Sequence, residues 1–247
     1  MRKFVDQLDH KMEVAKEDSD FAYFFSLLVT GEVITKLVAL ITASALSAEK
    51  DRHQYRVLHG LVRASGVGDW SKAIDDLLTG TASQHLSLDY RVFQADITKK
   101  VPEGNWQHNA VQELLEALKQ LNIDVEMSRG KSDLKSWFRL FTELRNKTRG
   151  HGALPPDAAS KAAPHLEKSI QLILGNLSLL NLPTAYLKRN LSGKYRVTNI
   201  GNPSDVFDEY KSNSSLYLSD GVYIHIGELK KVPLIIRSYC QKWCLAT

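Results

Sequence analysis

The hydrophobic positions of the first 182 residues recur at helical spacing in almost every segment. The longest run begins at Phe21, where apolar side chains repeat every three or four residues and continue beyond Gly31. Shorter amphipathic stretches follow at 55–62, 70–78, 108–121 and 166–177. The pattern predicts a mainly α-helical domain over residues 1–182.

Another helix is expected directly before the stretch ELRNKTRGHGAL, which spans positions 143–154. Ser132 or Asp133 can cap its N-terminus by accepting a backbone hydrogen bond. Its apolar stripe consists of Leu134, Trp137, Phe138, Phe141 and Leu144. Pro155 and Pro156 prevent this helix from continuing.

Residues 183–247 show a different pattern, typical of short strands. KYRVT at 194–198 alternates polar and apolar side chains. LYLSDGVYIHI at 216–226 predicts a hairpin with Asp220-Gly221 as a type I′ turn. VPLII at 232–236 is a further strand candidate. We therefore expect a small, strand-rich C-terminal appendage that contains a β-hairpin.

Composition and charge are those of an ordinary soluble protein. Hydrophobic residues make up 43% of the chain, and the formal net charge is +4. This charge permits a polyanionic partner but does not require one. The two cysteines, Cys240 and Cys244, leave no disulfide framework elsewhere in the chain, which indicates a reducing, cytoplasmic location.

The apolar run from Phe21 is long enough to raise the question of a membrane span. Glu32 and Lys36 interrupt its middle, and their spacing of four residues would let them pair on an exposed helix face. A soluble, partly buried helix is therefore predicted, and no membrane partner.

The stretch at 143–154 combines a cation, a titratable ring and two flexible points. Arg145 lies on the extension of the apolar stripe, where a guanidinium is costly unless it meets an anion or a partner chain. Gly150 and Gly152 flank His151, and they would let the chain fold back beside the last helical turn. Taken singly, a cation at a helix C-terminus and a loop histidine that bonds a carbonyl need no functional explanation.

Together these residues resemble the signature of the HEPN superfamily (higher eukaryotes and prokaryotes nucleotide-binding). That signature is an arginine, usually followed by a polar residue, with a histidine a few positions further on. Here Arg145 and Asn146 precede His151 at a junction between predicted helices. The resemblance implies a HEPN-like helical bundle that works as a homodimer with a shared site.

The chemistry of these residues suits metal-independent RNA cleavage, in which the 2′-hydroxyl attacks the adjacent phosphorus. Arg145 would bind phosphate and His151 would transfer protons. Asn146 would orient one of these two side chains. Lys147 and Arg149 would add salt-sensitive RNA affinity. One histidine cannot act as both acid and base at once, and a two-fold homodimer would supply a second.

The expected function is therefore a homodimeric endoribonuclease whose partner is RNA. Kinship with the superfamily suggests a toxin or anti-phage defence context, with a regulatory or antitoxin protein as a further partner. No cofactor is expected, and no metal, since the sequence holds no His-Glu-x-x-His and no second Cys or His pair near the cysteines.

Two other interpretations remain. The chain could be a non-catalytic dimerisation, nucleotide-sensing or regulatory module of a larger protein or system, which the strand-rich tail and modest charge would suit. Arg52 and His59 satisfy the same loose spacing as the signature. They are discounted because no glycine would bring them together and no asparagine follows the arginine.

Overall fold

The computed structural model of the chain describes residues 3–46, 51–125, 130–149, 155–201, 204–212 and 217–233. Over these ranges the protein is mainly helical, with a small antiparallel sheet towards the C-terminal end. The helices are α1 (Lys3–Asp18), α2 (Asp20–Ser44), α3 (Asp51–Val62), α4 (Val67–Thr79), α5 (Arg91–Thr98), α6 (Trp106–Gln120), α7 (Leu134–Arg149) and α8 (Pro156–Asn176). The strands are β1 (Thr184–Arg189), β2 (Tyr195–Asn199), β3 (Gly221–Ile226) and β4 (Glu228–Lys231).

Each helix that the periodicity predicts is present, and α1 and α5 are additional. In α1 a narrow apolar stripe lies among many charged residues in the sequence. Val5, Leu8 and Met12 recur at helical spacing and are buried against the rest of the core. The mixed charge of the N-terminus therefore belongs to the solvent-facing side of an amphipathic helix.

α2 is the central helix of the core and packs against α1, α4 and α8. Among the described helices, it alone is long and apolar enough to cross a membrane, with a mean hydropathy of 1.9. In this fold 61% of its apolar window is buried inside the protein. Ser19 caps its N-terminus by accepting a hydrogen bond from the backbone N–H of Ala22. Its contacts are those of a core helix.

A buried hydrogen-bond relay joins α6, α7 and α8. The indole Nε1 of Trp137 donates to Ser169 Oγ at 2.7 Å, and Ser169 Oγ donates to the carbonyl of Ala110 at 2.6 Å. Trp137 also stacks on Phe141, with ring centroids 5.0 Å apart. Because the polar atoms of this relay are satisfied, it fixes the position of α7 without a buried orphan group.

An ionic cluster also joins α6 to α8. Glu113 accepts a hydrogen bond from His165 Nδ1 at 2.8 Å and pairs with Lys168. Although burial acts in the opposite direction, these two partners hold the pKa of Glu113 below its ordinary 4.5. A lowered folded-state pKa adds stability above the unfolded-state value, and this stability disappears as the pH falls through the folded-state value.

We expect Glu113→Gln to lower the free energy of unfolding by about 1 kcal/mol at neutral pH, because the variant cannot form the ion pair with Lys168. The difference from wild type should shrink as the pH falls through the folded-state pKa of Glu113. Urea unfolding over a series of acidic pH values measures it. Glu103→Gln, at an exposed carboxylate without a salt bridge in the described ranges, is the control. A constant difference at every pH would contradict the ionic explanation.

The sheet has the order β2-β1-β3-β4, and all neighbouring strands are antiparallel. The strand predicted within KYRVT is present as β2. The hairpin turn predicted at Asp220-Gly221 is wrong, because β3 begins at Gly221 and pairs with β1 instead of with the residues before it. The tight turn lies at Gly227, whose φ of 66° suits glycine, and it leads into β4. Of the candidate strand at 232–236, the first two residues are described and lie outside a strand.

The sheet packs on the helices through one face. Ile224, Ile226 and Val232 belong to the same buried core as the helices. The opposite face carries a separate apolar cluster that includes Leu187 and Phe207. The change from helix to strand falls between the 3₁₀ turn at Ser178–Asn181 and the start of β1. The division into two domains at residue 182 stays a prediction.

Candidate functional site at the C-terminal end of α7

The stretch that resembles the HEPN signature occupies the last turns of α7. Asp133 caps the start of this helix, since its Oδ1 accepts hydrogen bonds from the backbone N–H of Ser136 at 2.9 Å and from its hydroxyl at 2.8 Å. The whole predicted stripe from Leu134 to Leu144 is buried. The helix ends at Arg149, one residue before the glycine expected to close it.

Arg145 meets an anion from another helix. Its Nε donates to Glu32 Oε1 of α2 at 2.7 Å, and Lys36 Nζ lies 3.5 Å from Glu32 Oε2. The side chains of Arg145, Glu32 and Lys36 are 24%, 14% and 18% exposed. The expectation that a guanidinium on this stripe needs an anionic partner is confirmed. One carboxylate is shared by two cations.

A close approach of α2 and α7 makes this contact possible. A Cβ atom added at Gly31 would lie 2.3 Å from ring atoms of Phe141. Phe141 is fully buried and lies one helical turn before Arg145. Glycine at position 31 therefore lets the two helices come near enough for Glu32 to reach the guanidinium.

The terminal nitrogens of Arg145 point to the chemistry that this site could perform. Within the ranges that the structure describes, only the Nε of this side chain has a hydrogen-bond partner. A guanidinium presents several N–H donors in one plane, and two terminal nitrogens can bind two oxygens of one phosphate. Glu32 thus orients the group from one side, through Nε.

The other residues of the signature are placed in part. Asn146 and Lys147 are exposed. Successive helical residues turn by about 100°, so Lys147 leaves the helix on a different side from Arg145. The backbone of Arg149 closes α7, whereas its side chain and the whole of His151 lie outside the described residues. The structure brings Arg145 together with Glu32 and Lys36, and it does not place Lys147 beside them.

Glu32 and Lys36 are site residues that the sequence interpretation missed. They were expected to pair on an exposed face of the apolar helix. The pair does form, but both side chains are less than one-fifth exposed. The prediction that the pair lies on an exposed face is therefore wrong. The sequence did contain a signal for them, namely a carboxylate and an ammonium in the middle of the most apolar run. Burying a charge is costly unless it has a partner, so charges at such positions indicate a specific contact.

Metal-ligand geometry is not found in the described ranges, where no three His, Cys, Asp or Glu side chains form a suitable group. Cys240 and Cys244 lie outside those ranges.

In comparisons with known proteins, no protein-family model, no curated protein and no solved structure matches the chain. The resemblance to the HEPN superfamily therefore rests on the residues of the signature alone.

Proposed function

We propose that the protein is a HEPN-like, metal-independent endoribonuclease that acts as a homodimer. The observation that supports this function best is the orientation of Arg145. Glu32 holds the guanidinium through Nε, and the terminal nitrogens have no partner in the described part of the chain. A phosphate group of RNA matches this edge in charge and geometry.

The reaction begins when His151 takes the proton of the RNA 2′-hydroxyl. The 2′-oxygen then forms a bond to the adjacent phosphorus, while Arg145 stabilises the negative charge that develops on the non-bridging oxygens. The bond from phosphorus to the 5′-oxygen breaks, and the partner subunit's His151 supplies a proton to that oxygen. The products are a 2′,3′-cyclic phosphate and a free 5′-hydroxyl, so atoms and charges balance without a metal.

Asn146 lies next to Arg145 in sequence and is exposed, so its amide would orient the RNA or the imidazole. Lys147 and Arg149 would attract neighbouring phosphates, with an affinity that declines as salt rises. A cytoplasmic toxin or anti-phage factor, held inactive by a regulatory or antitoxin protein, is the biological setting that the superfamily resemblance suggests.

Single-turnover cleavage of single-stranded RNA tests the proposal. We expect cleavage that persists in EDTA and leaves 2′,3′-cyclic phosphate ends. Replacing one ribose by 2′-deoxyribose should abolish cleavage at that linkage alone, because the nucleophile has been removed. Cleavage of the 2′-deoxy linkage at the normal rate would rule out this chemistry. Light scattering at the assay concentration reports the dimer, since a strict monomer holds only one copy of the site.

A non-catalytic module is the second candidate, and one observation favours it. Arg145, Glu32 and Lys36 form an ion cluster that joins α7 to α2, as a structural contact between helices would. In that case the protein would not cut the same RNA, whether or not it binds it. The single-turnover assay therefore separates the two functions.

A further inference from the structure

A second cationic feature lies on the sheet, at the end of the β1–β2 hairpin. It is a cleft of about 480 Å³, and among the described residues no carboxylate lines it. Its cationic lining residues are Lys188, Arg189, Lys194, Arg196 and Lys211. Residues 184–199 contain four of these cations and no Asp or Glu, so this short segment holds as much positive charge as the net charge of the whole chain.

Most of this charge has no carboxylate partner in the part of the chain that the structure describes. In the described ranges, Lys188, Lys194 and Arg196 make no ion pair, whereas Lys211 pairs with Asp208. Lys188 and Arg196 are exposed and directly opposite each other in the antiparallel pair. Like charges in this position destabilise a sheet. A bound anion would relieve the repulsion, which makes the arrangement one that suits a polyanionic ligand.

An aromatic ring stands beside the cleft. The guanidinium carbon of Arg189 lies 4.7 Å from the ring centroid of Tyr217, a residue that is 76% exposed. The next residue, Leu218, is held by Tyr195, whose hydroxyl donates to the Leu218 carbonyl at 2.9 Å. Proteins that bind single-stranded nucleic acid combine cations that follow the backbone with exposed rings on which bases stack.

We propose that this cleft binds the phosphodiester backbone of single-stranded RNA. Lys188, Lys194 and Arg196 contact phosphates, and a base stacks on Tyr217. The choice of RNA as the nucleic acid rests on the proposed function, whereas the cleft itself requires no cleavage. The cleft would give the protein a docking surface for its substrate apart from the Arg145 cluster on the helices.

The test measures binding of a fluorescent, 2′-O-methylated RNA of about 12 nucleotides, a length within the site sizes of single-strand binders. This RNA has no free 2′-hydroxyl and cannot be cut by the proposed reaction. The cleft variant is Lys188→Gln with Lys194→Gln and Arg196→Gln. The control variant is Lys72→Gln with Lys99→Gln and Lys100→Gln, which removes the same charge from exposed positions without ion pairs in the described ranges.

Loss of three phosphate contacts should weaken binding about 100-fold at about 0.1 M salt and lower the slope of log affinity against log salt by about 2. Tyr217→Ala should weaken binding about tenfold through lost stacking. The control variant should bind nearly as wild type does. Equal losses in both triple variants, or no loss in the cleft variant, would overturn the proposal. Competition by polyglutamate as effective as that by unlabelled RNA would overturn the choice of nucleic acid.

Folding and catalysis give separate readouts. The cleft variant should melt at or above the wild-type temperature, because removing opposed like charges stabilises the strand pair. With cleavable RNA at saturating concentration it should cut at the wild-type rate, with a raised KM. If wild type never cuts RNA but the cleft variant still binds it more weakly than the control variant does, the cleft proposal is supported and the nuclease proposal is wrong.

Discussion

Replacing His151 by alanine is expected to lower the single-turnover rate of RNA cleavage by about 10²–10⁴-fold, the usual contribution of a general acid–base group. Each subunit loses its proton-transfer group, so a homodimer of the variant has neither the acid nor the base. Fold and RNA affinity should change little, because the substitution leaves Arg145 and the cations of the hairpin in place. The measurement is the cleavage rate at saturating enzyme, with circular dichroism and RNA binding recorded on the same samples.

His59→Ala is the matched control for this experiment. Arg52 and His59 satisfy the same loose spacing, and both lie within the continuous helix α3. His59 is exposed and its ring stacks on Tyr55, with centroids 5.7 Å apart. We expect wild-type cleavage from this variant. Undiminished cleavage by a folded His151→Ala protein would remove the proposed mechanism, whatever the control shows.

The helical part of the fold was largely predictable because its determinants are local. The stripe of α7 and the cap at Asp133 are both visible in sequence, and the helix follows them. The need of Arg145 for an anion was also visible, since it follows the stripe. The identity of that anion was not, because Glu32 lies 113 residues away and only the packing of α2 on α7 brings it near.

The sheet shows what a local sequence pattern cannot predict. Alternation located β2 and most of β3, because a half-buried strand imposes a period of two on its side chains. It could not identify the partner of each strand. β3 pairs with β1 across about thirty intervening residues, and the alternation of GVYIHI carries no information about this choice. The cleft on the β1–β2 hairpin was missed for the same reason, since its charges converge only when the strands are paired.

Gly31 supplies a test of the packing that builds the Arg145 site. A glycine inside a helix is less stable than alanine by about 1 kcal/mol, so its presence in the middle of α2 needs a reason. The reason is steric: an added Cβ would lie 2.3 Å from the ring of Phe141, and that ring is confined by its stacking on Trp137.

We therefore expect Gly31→Ala to destabilise the protein by about 1–3 kcal/mol through overpacking, despite the better helix propensity of alanine. Gly60→Ala in α3, where nothing lies within 4 Å of an added Cβ, should instead stabilise it by about 0.5–1 kcal/mol. The same substitution thus has opposite signs at two helical positions. Urea unfolding of both variants measures the difference. RNA cleavage by Gly31→Ala should fall as well, because moving α2 away from α7 separates Glu32 from Arg145. If Gly31→Ala were as stable as Gly60→Ala, α2 and α7 would not be in the contact that orients the guanidinium.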